Sequence, residues 1–217
     1  MKIKNKIFIA ALIIMLSAVL TAPKVGAQVD PQPLSTHGEL ITIPTARIMA
    51  YRGRVGAEYR QNRSRIYGVF RLENFMELGG QVQDHPVHDE ELGILLKARI
   101  LTEEEERPAV AAGIRGTSPY VSVSKYLGEN FDLHFGIGDS QPDGLFIGLN
   151  YVHNPGVQGI AYAEEGEGFS LPRTNLMLEF ASDDINIGAR TQLAPELSGE
   201  LSVIGMDSVK AGIDFTF

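Results

Sequence analysis

His134 is the best-placed general base in this 217-residue sequence, with Ser122 and Ser124 just upstream of it in a segment of alternating polarity. Hydrolysis by a serine needs an imidazole to take its proton and a third polar group to orient that imidazole. Here the serines alternate with valines and no motif surrounds them, a pattern that equally describes the polar lining of a sheet face. The stretch 84–91, DHPVHDEE, supplies two imidazoles and four carboxylates, chemistry enough for a divalent metal. His-x-x-His outside a helix is a common accident, however, and a solvated, proline-bent loop explains the stretch better. The run Glu103 to Glu106 has the oxygen ligands to hold cations that bridge an acidic glycolipid or polymer, and it also reads as a hydrated turn. Arg65, Arg71, Lys97, Arg99 and Arg115 recur on consecutive segments and would form a basic ladder guiding an anionic solute. Internal salt bridges with Glu58, Glu77 and Asp132 account for them equally well. None of these groups implies a catalytic centre, a resident metal or a cofactor.

The elements that position these residues are strands. From Gly38 onward, segments of alternating polarity recur about every dozen residues between turn signals, the pattern of an antiparallel all-β protein. Fourteen candidates lie near 39–46, 53–61, 64–72, 75–83, 91–101, 107–115, 118–127, 130–138, 143–153, 156–164, 174–181, 184–191, 197–205 and 208–217. Turn chemistry separates them, as in Gln61-Asn62-Arg63, Pro142-Asp143-Gly144, Asn154-Pro155-Gly156 and Ser182-Asp183-Asp184. Three connections are longer: 84–90, the acidic turn 103–106 and the glycine-rich 164–173. Short turns alternating with longer loops are what a membrane barrel shows on its two sides. Each strand has an apolar and a polar face: near 130–138, Phe131, Leu133, Phe135 and Ile137 oppose Asp132 and His134. With the apolar faces outward, Glu58, Arg60, Arg65, Arg71, Glu77, Lys97, Arg99, Arg115, Asp132, Glu179, Asp184, Arg190, Glu200, Lys210 and Asp214 point inward, eight basic and seven acidic.

Such a balanced set can pair across a narrow wet lumen, while a soluble sandwich would place the same charges in bulk water. Export favours the first. Lys2, Lys4 and Lys6, the apolar run from Ile7 to Leu20 and the small-residue exit at Ala27 make residues 1–27 a cleavable signal peptide, followed by a linker at 28–37 and a barrel at 38–217. Beyond it no stretch approaches the ~20 apolar residues of a membrane helix. The absence of cysteine excludes lipid-modified thiols, disulfides and thiolate metal sites. Processing leaves 15 basic and 27 acidic side chains, a formal charge of −12 that makes nucleic acid an unsuitable partner.

The ending GIDFTF places Ile213, Phe215 and Phe217 on one outward register, which resembles the signal read by the barrel-assembly machinery. Gly38 to Tyr59, with its IPTAR segment, and Leu96 to Gly138, with Lys97-Ala98-Arg99-Ile100-Leu101 leading to Glu105 and Pro108 and with Ser124-Lys125-Tyr126, resemble the exopolysaccharide-associated YjbH family. The resemblance covers about half of the processed chain. It implies an outer-membrane barrel in a diderm bacterium, working with a polysaccharide secretion apparatus and without catalytic residues. Long family members hold several times this much sequence, and this chain has room for one barrel.

The expected architecture is thus a single antiparallel transmembrane barrel of twelve to fourteen strands, in contact with outer-membrane lipid and with a structural or narrow-pore role. A soluble secreted sandwich or barrel that binds a ligand or carbohydrate, and a membrane-embedded hydrolase, are the alternatives. Pro44 within IPTAR fits an edge, a first strand or a segment folded into the lumen, and the pattern leaves this open.

Overall fold

Alternating apolar and polar residues between tight turns give every strand one face for each of two environments, and the chain meets both by closing a sheet on itself. The computed structural model describes residues 39–217 except 62, 86–87, 129, 140–141 and 154–172. Within it the strands are β1 (Gly53–Arg60), β2 (Arg63–Glu73), β3 (Met76–His85), β4 (His88–Leu101), β5 (Ala109–Arg115), β6 (Ser118–Tyr126), β7 (Phe131–Gly138), β8 (Gly144–His153), β9 (Thr174–Ala181), β10 (Asp184–Ala194), β11 (Leu197–Ile204) and β12 (Ser208–Thr216). Each pairs antiparallel with its sequence neighbours, and β1 pairs with β12 to close a twelve-stranded barrel. At this seam Val55 faces Phe215 and Ala57 faces Ile213. The C-terminal residue is part of the closure: Arg52 and Gly53 donate their amides to the Phe217 carbonyl at 2.9 and 3.0 Å. Tight turns keep the register where φ is positive, as at Ser182 and Asp183 between β9 and β10.

The outer face is apolar. Ile66, Leu92, Ile94, Leu193, Leu201 and Val209 are all more than half exposed, a surface that hydrocarbon solvates and water does not. Leu133 and Ile147 share this register but are covered. Where the chain starts and ends the wall, Phe70 stands edge-on to Phe217 at 5.9 Å, and Phe131 lies 4.9 Å from Tyr151, aromatic pairs suited to a bilayer interface. The molecule is a transmembrane β-barrel; among the described residues no helix forms, and a sandwich of two packed sheets is not what this sequence builds.

Two expectations change, and others lie outside the described residues. The segment 39–46 is not a wall strand; its one β-contact is the bridge between Glu39 and Pro44. The candidate at 156–164 lies outside the described residues, as do the signal peptide and the linker. The stretch 84–90 is no long loop, because β3 and β4 run on to His85 and His88 across an irregularity at Gln83. The extended β4–β5 connection and the β8–β9 connection both leave from the end that carries Gly53 and Phe217, and the opposite end has the short turns.

Candidate functional site

Residues 39–49 fill the lumen. Leu40, Ile41, Ile43, Ala46, Ile48 and Met49 are buried, although they pair with no strand of the wall. A backbone outside regular structure still has to satisfy its amides and carbonyls, and here polar side chains from the wall do so. The head of the segment is a tight turn in which the Leu40 amide donates to the Ile43 carbonyl at 3.0 Å. The Glu179 carboxylate, fully buried on β9, accepts the amides of Ile41 at 2.5 Å, Thr42 at 2.8 Å and Ile43 at 3.1 Å, an anion held in a nest of successive N–H groups. Thr42 Oγ1 and Asn186 Nδ2 donate to the same carboxylate. Cations take the carbonyls: Arg190 donates to Leu40 at 2.7 Å, Lys210 to Ile41 at 2.8 Å and Arg115 to Thr42 at 2.5 Å.

Deeper in, the Ala46 amide donates to Ser124 Oγ at 2.8 Å, Lys97 donates to the Arg47 carbonyl at 3.0 Å, and Glu77 accepts the Met49 amide at 2.5 Å. Arg71 caps the Met49 carbonyl at 3.2 Å. The Arg47 side chain pairs with Asp132 at 2.7 Å and with Glu103, and its guanidinium lies 3.6 Å from the centre of the Tyr126 ring. Apolar packing needs the wall to withdraw: a side chain at Gly148 would strike Ile43 and Leu40, each 2.6 Å from where its Cβ would sit. Gly188 gives Ile41 room in the same way.

The inward charges therefore have partners. Arg65 pairs with Glu58 at 2.9 Å and Glu39 at 3.3 Å, Lys97 with Glu77 at 3.2 Å, and Lys210 with Glu58 at 3.4 Å and Glu200 at 2.6 Å. Arg99 stands apart at the rim, where it donates to the Asn74 carbonyl at 2.6 Å. The cations of the basic ladder are thus spent on carboxylates and carbonyls of the protein itself, chiefly on the segment inside the lumen.

Ser124, His134 and Asp132 do meet. Ser124 Oγ lies 2.8 Å from His134 Nδ1, and His134 Nε2 lies 3.5 Å from Asp132 Oδ2. All three are inaccessible, Ser124 also holds Ala46, and Asp132 also holds Arg47, so with residues 39–49 in place no substrate reaches them. Ser122 is buried beside them. The carboxylates of Glu103 and Glu104 accept from Arg47 and Arg107, respectively. His85 and His88 are opposed backbone positions of the β3–β4 hairpin, and the side chains of 85–90, most of the stretch read as a possible metal site, lie outside the described ones; among the described residues no cluster of three metal-ligating side chains forms.

Among the described residues a sizeable cavity opens at one end of the barrel. Of about 470 Å³, it lies at the short-turn mouth, with the head of the lumen segment as its floor. Its charged lining is Arg60, Arg63, Arg65, Arg115 and Lys210 against Glu39, Glu58, Glu91 and Asp184. A smaller chamber of about 40 Å³ lies behind it, and Glu39 and Arg115 line both. Glu39, Arg47 and Arg54 are contributors absent from the inward set read off the sequence. Arg54 was nevertheless detectable, because it shares the two-residue period of Glu58 and Arg60.

No protein-family model matches the sequence, and no curated protein does. Among solved structures, the KdgM porin is similar over 76% of this chain and 99% of its own, with 9% identity and a TM-score of 0.50. The NanC porin covers 76% of this chain and 100% of its own at 11% identity with a TM-score of 0.44. The outer membrane protein Omp33 of Acinetobacter baumannii covers 77% and 98% at 13% identity with a TM-score of 0.41. At such identity the likeness to the KdgM porin shows the fold alone, a closed antiparallel β-barrel.

Proposed function

We propose that this protein is an outer-membrane β-barrel closed at rest by its own N-terminal segment, a narrow pore that conducts only when residues 39–49 leave the lumen. The observation that carries this reading is the buried backbone of that segment, tied amide by amide and carbonyl by carbonyl to side chains of the wall. An exterior of exposed aliphatics with aromatic pairs at one rim supports a place in the bilayer, and Phe217, locked onto β1, supports recognition of Ile213, Phe215 and Phe217 by the barrel-assembly machinery. The resemblance to the exopolysaccharide-associated family extends the reading to a barrel serving a polysaccharide secretion apparatus. What supports this is that the IPTAR segment, among the most specific parts of the resemblance, is the part that fills the lumen.

Planar-bilayer recording tests the proposal. The intact processed protein should be almost silent, and a protein lacking residues 28–49 should give stable conductance steps. Equal conductance from the two would overturn the plug.

A further inference from the structure

Glu39 sits where a soluble anion would sit. Its carboxylate is shared by three guanidinium groups from three strands: Arg54 of β1 at 3.2 Å, Arg65 of β2 at 3.3 Å and Arg115 of β5. Arg65 also pairs with Glu58 at 2.9 Å and Arg54 lies 4.0 Å from Asp214, yet donors are left over. Arg54 Nη1 and Arg65 Nε are buried and have no hydrogen-bond partner in the protein, although Arg54 is almost wholly inaccessible. Leaving charged donors unpaired in a buried place is unfavourable, so the cluster is short of acceptor oxygens. Arg65 and Arg115 line the open cavity, which Arg60 and Arg63 also line, while Arg54 lines the smaller chamber, where Glu39 and Arg115 face it too. If Glu39 swings away, the lining keeps five basic groups against three acidic ones.

We propose that Arg54, Arg65 and Arg115 form a binding site for a solute bearing carboxylates, that Glu39 is a tethered occupant of this site, and that such a solute entering the cavity displaces Glu39 and frees the head of the plug. Guanidinium groups bind a free carboxylate through the same paired N–H geometry that they offer to a side chain. A polycarboxylate brings more acceptor oxygens than Glu39 and can satisfy the two idle donors. Because the site is competent only when Glu39 is out, the apparent affinity is scaled down by the fraction of molecules in that state. Freeing Glu39 also removes one anchor of residues 39–43, next to the carbonyls held by Arg190, Lys210 and Arg115. The inference rests on the plug reading, but its binding test does not depend on conductance.

Citrate is the probe, titrated calorimetrically into the folded, detergent-solubilised protein at constant ionic strength, with heat-modifiable gel mobility to certify folding. Glu39→Gln, nearly isosteric and uncharged, should bind citrate at least tenfold more tightly than the wild type. Arg115→Gln in the Glu39→Gln background should lose at least tenfold of that affinity. If Glu39→Gln binds no better than wild type, or if removing Arg115 changes nothing, the site is refuted. Should Glu39→Gln fail to fold, the wild-type background decides. A Leu40→Cys protein, which carries the only thiol in a chain without cysteine, should react with a polar maleimide several-fold faster in citrate than in chloride of equal ionic strength. An unchanged rate would overturn the displacement.

Discussion

Glu179 on β9 accepts the backbone amide of Ile43 at 3.1 Å, joining positions 136 residues apart in the chain. A wall residue here does for a loop what a neighbouring strand does for a strand, and the carboxylate reaches two further amides as well. Glu179→Ala should strand those donors in a buried place. Each unsatisfied group costs about 1–3 kcal/mol, so a loss on the order of 3 kcal/mol is expected. Urea unfolding in phospholipid vesicles would measure it, and the same variant should conduct more than the wild type.

The Arg190 guanidinium links Glu200 at 2.5 Å to the Leu40 carbonyl at 2.7 Å. Glu200 keeps Lys210 at 2.6 Å when Arg190 is removed, so the loss should fall below the about 3–5 kcal/mol of breaking an isolated buried pair. Arg190→Met and Glu200→Leu should therefore destabilise less in combination than the sum of their separate effects. A double-mutant cycle on unfolding free energies would show a coupling of at least 1 kcal/mol, well above the few tenths expected of independent sites.

Gly148→Ala places a methyl group against Ile43 and Leu40. Overpacking of this kind costs about 1–3 kcal/mol. The loss should vanish in a protein lacking residues 28–49, because the collision is with the plug and not with the wall. A loss of the same size in both backgrounds would place the strain in the barrel itself.

Leu201 is 60% exposed on β11, and its neighbour Ser202 is buried on the lumen face. Leu201→Arg should weaken folding into vesicles by about 2–4 kcal/mol if that side meets the middle of the bilayer. Equilibrium folding titrations check this, and a tolerated arginine would mean that water reaches the outer face.

Much of the wall was legible, because a two-residue period survives wherever one face meets lipid and the other meets charge. Lys97, Asp132 and Glu179 needed only that period to be placed on the inner face. The plug was not legible in this way. Leu40, Ile41 and Ile43 look like strand residues, and local sequence cannot distinguish pairing with a neighbouring strand from amides captured by a distant carboxylate. Pro44, which removes a ladder donor, left a lumen segment open beside an edge or first strand, and Gly148 and Gly188 prove to be where that segment packs against the wall. The meeting of Ser124 with His134 followed from register, whereas the burial of that pair came from Ala46, which no strand pattern brings near.

Cysteine trapping tests the position of the plug most directly, in a chain that has no thiol of its own. The Ala46 amide lies 2.8 Å from Ser124 Oγ. A protein carrying both Ala46→Cys and Ser124→Cys should form an intramolecular disulfide under mild oxidation in isolated membranes, and the plug should then stay locked in place. If the two thiols remain reduced and the one at position 46 reacts freely with a membrane-impermeant maleimide, residues 39–49 do not occupy the lumen.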